Sequence, residues 1–315
     1  MVHRSLTIPD ERAGQRLDQA LAALLPDYSR SRLKGWIESG EIRVDGAMRR
    51  PRDKVSGGES ISLEAILDEA TVAEPQAMAL ELAHEDRHLW VVNKPAGLVV
   101  HPGAGNPDRT LVNGLLAHRP ALDILPRAGI VHRLDKDTGG LLVVAANPDA
   151  QRVLARAIAR HDVLRRYAAI VEGVLTGGRD IDAAIARDPR DRRRQRVSEA
   201  GRAALTRVRV RERFRAATLV DAELETGRTH QIRVHLASIG HPLMGDRRYG
   251  ARGRLPPRPT ETLVAAVRAF RRQALHAVAL GFAHPRDGRW LEFASPLPAD
   301  FEALLVALRE DRDGA

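Results

Sequence analysis

Five consecutive apolar residues, Leu141, Leu142, Val143, Val144 and Ala145, follow directly on a turn-forming stretch, Asp137-Thr138-Gly139-Gly140. A short run that is apolar at every position and bounded by turn residues reads as a buried strand. Just ahead of it stands Val131-His132-Arg133-Leu134-Asp135-Lys136. The turn therefore presents a carboxylate, Asp135, at the edge of a rigid strand and two residues after a guanidinium, Arg133. An acid held in that way suits nucleophilic or general-base work. It suits a structural ion pair equally well, and other parts of the chain must decide.

The chain has 315 residues, room for about two domains that could each bury a core. Lys and Arg number 50 against 41 Asp and Glu, and Arg dominates the cations. That balance points to a polyanionic partner, most often nucleic acid. With no cysteine in the sequence, disulfides, thiolate metal sites and a cysteine nucleophile are excluded. No apolar run approaches the ~20 residues of a membrane span. The opening Met1-Val2-His3-Arg4-Ser5 lacks the apolar core of a secretory signal. The expectation is a soluble cytoplasmic protein with no membrane association, and no interface signal departs from a monomer.

Residues 14–64 form a unit of their own. Leu17, Ala20, Leu21, Leu24 and Leu25 recur at helical spacing until Pro26, and Ser29 or Ser31 could cap a second helix that Gly40 stops after Ile37. Residues 41–46 alternate like a strand entering the Asp45-Gly46 turn, and 61–63 close a short sheet. Arg49, Arg50, Arg52 and Lys54 gather around that hairpin. Residues 65–80, acidic and rich in alanine, read as a linker. A second domain spans 81–305, with strands at 89–95, 167–172, 205–210 and 218–224 and an amphipathic helix at 151–159. Strands in runs, with helices only occasional, favour an α+β fold whose sheet is mixed but largely antiparallel.

A second informative stretch is Thr226-Gly227-Arg228-Thr229-His230-Gln231-Ile232-Arg233-Val234-His235-Leu236. Ile232, Leu236 and Ile239 fall at i, i+4 and i+7, and Gly240 and Pro242 end the pattern, so a short helix is predicted. On it Thr229 and Arg233 stack one turn apart with His230 beside them, so Arg233 leaves the apolar face and could reach a carboxylate. His230 and His235 lie about 140° apart on such a helix and cannot chelate one ion. A calcium loop beginning at Asp135 would need a bidentate Glu where Ala146 stands. Neither a phosphate-binding lysine loop nor a strand-to-helix Gly-x-Gly-x-x-Gly is present, so neither a metal nor a nucleotide cofactor is expected. Tyr167, at the start of a strand after Arg165-Arg166, is a candidate stacking platform for a base, and equally a half-buried strand residue.

Ser29-Arg30-Ser31-Arg32-Leu33 and residues 37–46 resemble the S4 RNA-binding domain, so Arg30, Arg32 and Lys34 are expected to contact RNA backbone. The remainder resembles the RluA-type pseudouridine synthases. The matching segments are Val92-Asn93-Lys94-Pro95-Ala96-Gly97-Leu98, His101-Pro102-Gly103, His132 to Thr138, Tyr167 with its strand, Thr226 to Arg233, and Gly240-His241-Pro242-Leu243-Met244-Gly245-Asp246. The likeness runs from about Leu82 to Phe301. Residues 101–107, 127–132 and 272–276 look most like members that modify uridines of a large-subunit ribosomal RNA hairpin at the subunit interface. A departure is Gly139, where relatives commonly carry Ser or Thr; it puts a hydroxyl contact in doubt and could loosen the turn.

The resemblance implies that Asp135 is the catalytic aspartate, Tyr167 the active-site tyrosine and Arg233 the arginine paired with the acid. It implies that Arg133 enters the RNA stack in place of the extruded uridine, with His132 and Arg228 also on the RNA-binding side. Isomerisation breaks the N1–C1′ bond and joins C5 to C1′ without redox change or an added group. An ionised Asp135 could attack C1′ or remove the C2′ proton, and family chemistry leans to the second. Flipping the target base out costs about a few kcal/mol, which insertion of Arg133 would partly offset. Three rivals stand beside this reading: a non-catalytic RNA-binding or ribosome-assembly protein, a hydrolase acting on RNA through carboxylate and His groups, and a synthase for other ribosomal or transfer RNA uridines.

Overall fold

The structure is a computed structural model that describes the backbone of residues 2–26, 28, 30–65, 73–103 and 105–314, and the side chains of all these except 2 and 30–32. Ser29, one of the two cap candidates, and residues 66–72 of the expected linker lie outside it, as do the side chains of Arg30, Ser31 and Arg32. The chain divides into two units, Met1–Val72 and Ala73–Ala315.

The first unit contains β1 (Val2–Thr7), α1 (Leu17–Leu24), α2 (Arg30–Ser39), β2 (Ile42–Val44) and β3 (Ser60–Ala65). Its antiparallel sheet has the order β1-β3-β2. Leu17 and Leu21 on α1, and Leu33 and Ile37 on α2, lie one turn apart and pack with Ile42, Ile61 and Leu63 of the sheet. Gly40 ends α2 with φ 86°, a conformation that costs glycine little. Asp45 and Gly46 both take positive φ, as a two-residue hairpin turn requires. The strand β1 had no sequence signal because His3, Arg4 and Ser5 are exposed on a sheet edge.

The second unit contains β4 (Glu81–Glu85), β5 (Leu89–Lys94), α3 (Leu111–His118), β6 (Gly139–Ala145), α4 (Pro148–Ala159), β7 (Leu164–Glu172) and β8 (Arg179–Asp182). It continues through β9 (Ile185–Arg187), β10 (Gln195–Val197), β11 (Leu205–Arg213), β12 (Ala217–Leu224) and α5 (Gln231–Ser238). Last come α6 (Glu261–Ala269), β13 (Leu275–Ala283), β14 (Trp290–Ala294) and α7 (Ala299–Asp313). Among the described residues a nine-stranded sheet runs β4-β5-β6-β13-β7-β12-β11-β8, with β14 also on β13. Its pairs are antiparallel except β6 with β13, which is parallel. This is an α+β fold with a largely antiparallel sheet. No helix among the described residues is long and apolar enough to cross a membrane.

Both faces of the central strands are covered, which explains the unbroken apolar runs. Leu142 and Val144 of β6 join Trp90, Val92, Tyr167, Ala169 and α3 in one core. Leu141 and Val143 point the other way and pack under Leu154 of α4. A third cluster, with Phe301, Leu304 and Leu308 of α7, covers Ala168 and Ile170 of β7. Two of the helix-side residues of the first core, Ile232 and Leu236, come from α5. Strand β7 thus offers Tyr167 on the face that also receives α5.

The parallel junction of β6 and β13 requires a glycine. Gly140 has φ 108°, and a Cβ there would stand 2.2 Å from the Ala277 carbonyl oxygen. Gly139 does not adopt positive φ; its own Cβ would lie 3.1 Å from both His276 Nδ1 and the Lys94 carbonyl oxygen. Replacing Gly140 with Ala should therefore lower unfolding free energy by at least about 2 kcal/mol, read by urea denaturation. An unchanged midpoint would contradict the close approach.

Candidate active site

The loop that carries Asp135 is pegged into the protein at every second residue. Leu134 is buried in the first core, so Arg133 and Asp135 on either side of it face outward, Arg133 exposed and Asp135 partly covered. The Thr138 N–H closes a turn on the Asp135 carbonyl at 3.1 Å. Thr138 Oγ1 accepts from Gln273 Nε2 at 3.1 Å. His132 Nε2 accepts the Val143 N–H of β6 at 3.1 Å. Burial, helped by the charge of Arg165, pushes the His132 imidazole down to about 3, so it is neutral and anchors the loop to the strand.

A buried lysine locks the same loop from below. Lys94, at the end of β5, donates from Nζ to the carbonyls of Pro95 (2.9 Å), Leu98 (2.8 Å) and Lys136 (3.0 Å). Three acceptors match the three protons of an ammonium. Burial pulls its pKa down to about 7, against the attraction of Asp137 and Asp135. The Lys136 carbonyl also accepts from the Gly97 N–H at 2.9 Å. The Asn-Lys-Pro-Ala-Gly segment thus clamps the backbone next to Asp135.

Helix α5 is pinned by two of its own polar side chains. Gln231 Oε1 accepts from Thr226 Oγ1 (2.7 Å) and the Arg228 N–H (2.9 Å), while its Nε2 donates to the Leu205 carbonyl (3.0 Å) and Thr206 Oγ1 (3.0 Å). His235 bridges Thr206 Oγ1 and the Ala183 carbonyl, each at 2.9 Å. His235 is fully buried, and these bonds fix its side of the helix. With that side committed to the body of the protein, the opposite side points Arg233 and His230 at the Asp135 loop.

Arg233 is the hinge of the arrangement. It grips Asp246 with both arms, Nε to Oδ2 at 2.6 Å and Nη2 to Oδ1 at 2.9 Å. Its remaining Nη1 donates to Asp135 Oδ2 at 2.9 Å. Burial opposes the charge on Arg233, but the Asp246 and then the Asp135 carboxylates more than offset this and keep the guanidinium protonated. The Tyr249 ring lies under it, 5.0 Å from the guanidinium carbon. His230 occupies the N-terminal cap of α5 with φ 56°, a left-handed conformation uncommon outside glycine. Its Nδ1 bonds Tyr249 Oη at 2.7 Å, and its Nε2 stands 3.9 Å from Asp135 Oδ2. Both neighbours thus address Oδ2, and among the described residues no hydrogen bond reaches Oδ1.

Tyr167 is buried in β7, and burial pushes its hydroxyl up to about 12, with Arg165 pulling the other way and Asp135 adding to the rise. It is a phenol at neutral pH. Arg228 is partly exposed and donates to the Ala203 carbonyl at 3.1 Å. Lys34 is exposed and pairs with Glu38 at 3.5 Å in the first unit, while the side chains of Arg30 and Arg32 lie outside the described residues. Asp135, Arg233 and Tyr167, far apart in sequence, are therefore neighbours. Asp246, Tyr249 and Lys94 carried no role in the sequence reading. Asp246 and Lys94 sit inside family-like segments, but nothing in their spacing shows that one forks an arginine and the other clamps a loop.

A family model described as RNA pseudouridylate synthase matches residues 88–238, and one described as S4 domain matches residues 15–61. The chain belongs to the RNA pseudouridylate synthase family. It is 52% identical to the ribosomal large subunit pseudouridine synthase D of Xylella fastidiosa over 98% of this chain and 93% of that one. It is 51% identical to the protein of the same name from Pseudomonas aeruginosa, over 99% and 98% of the two chains. Among solved structures, human RNA pseudouridylate synthase domain containing 4 aligns with a TM-score of 0.56 at 26% identity, covering 73% of this chain and 93% of that one. Human RNA pseudouridylate synthase domain containing 1 aligns with 0.55 at 27% identity, over 71% and 86%.

The neutral His132 makes a testable contribution to acid stability. Its folded value, about 3, lies below its ordinary 6.5, so between these pH values the unfolded chain takes up a proton that the folded chain refuses. Stability should fall as pH drops through that window. In His132→Gln the slope of unfolding free energy against pH should be shallower by up to about 1.4 kcal/mol per pH unit. Urea titrations at several pH values measure it, and identical slopes would contradict an imidazole held neutral in the folded chain.

Proposed function

We propose that this chain converts uridines of large-subunit ribosomal RNA into pseudouridine, with Asp135 as the catalytic carboxylate. The observation that carries the reading is the Asp135–Arg233–Asp246 arrangement: a carboxylate with one oxygen tied at 2.9 Å and the other reached by no hydrogen bond among the described residues. Arg233 supplies the countercharge and fixes the acid's rotation. The unoccupied Oδ1 is then available to the ribose of an everted nucleotide. The near-full-length likeness to ribosomal large subunit synthases supports the choice of RNA. A ribosomal substrate implies work in the cytoplasm, and the reading takes the enzyme as a monomer.

In this reading the N1–C1′ bond breaks, the uracil turns while still bound, and C5 bonds to C1′. A proton leaves C5 and N1 gains one, so atoms and electrons balance with no redox partner. Asp135 either bonds C1′ transiently or takes the C2′ proton and returns it. Tyr167, a neutral phenol, offers a flat surface and a hydrogen-bond donor to the uracil rather than a ready-made base. Exposed Arg133 is suited to fill the gap the nucleotide leaves. His132 serves by holding that loop on β6. Arg228 adds charge at the rim. In the first unit, exposed Lys34, Arg43, Arg49, Arg50 and Arg52, together with Arg30 and Arg32, would bind phosphates and contribute affinity without base readout.

The target nucleotides are proposed to be those of the interface hairpin. Replacing Asp135 with Asn preserves shape and removes the charge. Single-turnover pseudouridine formation on a large-subunit transcript should drop by about three orders of magnitude or more, while the affinity for that transcript stays within about threefold. Turnover by the variant within about tenfold of the wild-type rate would refute the role of Asp135. Modification confined to positions outside large-subunit RNA would refute the substrate.

A further inference from the structure

Strands β9 and β10 form a two-stranded arm outside the main sheet. Between residues 187 and 196 the arm holds six arginines, Arg187, Arg190, Arg192, Arg193, Arg194 and Arg196, against two aspartates, Asp188 and Asp191. The aspartates are occupied in shaping the turn. Asp188 Oδ1 accepts the Arg190 N–H at 2.8 Å, and Asp191 Oδ1 accepts the Arg193 N–H at 3.0 Å. Among the described residues, the guanidinium of Arg193 is the one of the six that pairs with an acid, at 3.2 Å from Asp191 Oδ1, and all but Arg194 belong to exposed residues. Such a cluster repels itself in water and gains most from a polyanion.

The arm is also joined rigidly to the site. Ile185 of the arm packs with Ala204, with Val234 of α5 and with Tyr249 in a small separate core. The Gln195 N–H donates to Tyr249 Oη at 2.9 Å. The same hydroxyl shares a hydrogen bond with His230 Nδ1 at 2.7 Å, and the other ring nitrogen, Nε2, stands 3.9 Å from Asp135 Oδ2. The guanidinium carbon of Arg194 lies 5.4 Å from the centroid of the same tyrosine ring, and Arg248 Nη1 reaches the Arg193 carbonyl at 3.5 Å. One tyrosine thus touches the arm, the arginine that holds Asp135, and the histidine beside it.

We propose that this arm binds phosphates of the RNA strand carrying the target uridine, and that Tyr249 and His230 convey its seated position to Asp135. The inference rests on the RNA-modifying function proposed above and adds a contact surface and a positioning pair to it. RNA is favoured over other polyanions because the arm packs against the helix that presents Arg233, next to the site proposed to act on RNA. Tyr249 acts through His230 and is a positioning residue.

The test uses the full chain and an in vitro transcript of large-subunit ribosomal RNA. Combined replacement of Arg190, Arg192 and Arg193 by Gln should raise KM by about tenfold or more and reduce the magnitude of the log–log salt slope of binding by about 2. The single change Arg192→Gln, at the exposed tip, should move both in the same direction by less, should the triple variant fold poorly. Tyr249→Phe keeps the ring under Arg233 but loses the hydroxyl; kcat should fall about tenfold with KM within about twofold. Unchanged KM and salt slope in both arginine variants would overturn the arm as a binding element. A wild-type kcat in Tyr249→Phe, or an equal change in kcat and KM, would overturn the coupling. If the unaltered chain binds the transcript but forms no pseudouridine, the proposed function fails, while the salt slopes still decide whether the arm binds RNA.

Discussion

A single buried guanidinium holds the site together. Arg233 spends two of its donor atoms on Asp246 and one on Asp135. Removing a cation and an anion from water is expensive, and the cost is recovered only where geometry is good and the remaining donors are satisfied. Asp246 meets that condition by gripping the guanidinium side-on with both oxygens. It sets the plane of the arginine before Asp135 is considered, so the acid meets a fixed donor instead of a mobile one. Arginine suits this task because its planar fork can bridge two carboxylates at once; the ammonium of lysine lacks that geometry.

The rest of the second unit serves to bring three distant segments to that fork. Strands β6 and β7 are buried on both faces and so cannot slide without exposing apolar surface. They fix the ends of the Asp135 loop and the place of Tyr167. Lys94 and His132 then fasten the loop itself, one through three carbonyls and the other through a backbone N–H. Helix α5 is short and gains little from intrinsic helical preference. Gln231 and His235 supply the missing specification through hydrogen bonds that leave no polar atom of either side chain idle. The precision of the site is therefore built by neighbours that never meet the reacting atoms.

Local patterns made some of this readable in advance and left other parts hidden. The apolar run at 141–145 and the helical spacing of Ile232, Leu236 and Ile239 are short-range signals, and both elements formed where the spacing placed them. The two helices of the first unit and the Asp45-Gly46 turn were legible for the same reason. Strand β1 was not, because its edge position lets polar residues fill it. The parallel pairing of β6 with β13 joins residues over a hundred positions apart, and no local pattern encodes it. Lys94 has no distinguishing spacing in the sequence; only the folded chain converges three carbonyls on it. The arginine-rich segment 187–196 carries no spacing signal of its own, and its arm geometry depends on Tyr249 and Ile185, which carry no charge. Gly139 was suspected of loosening the turn, yet the turn is held by Lys94, Gln273 and Gly97, none of which depends on a side chain at 139.

The most direct measurement is the single-turnover rate of pseudouridine formation by Arg233→Lys, with RNA affinity measured in parallel. A lysine keeps the positive charge but cannot grip Asp246 side-on while holding Asp135. The account predicts a rate lower by about a hundredfold or more with RNA affinity nearly unchanged. A variant that turns over at the wild-type rate would show that charge alone suffices, and that the two-carboxylate fork is not what prepares Asp135.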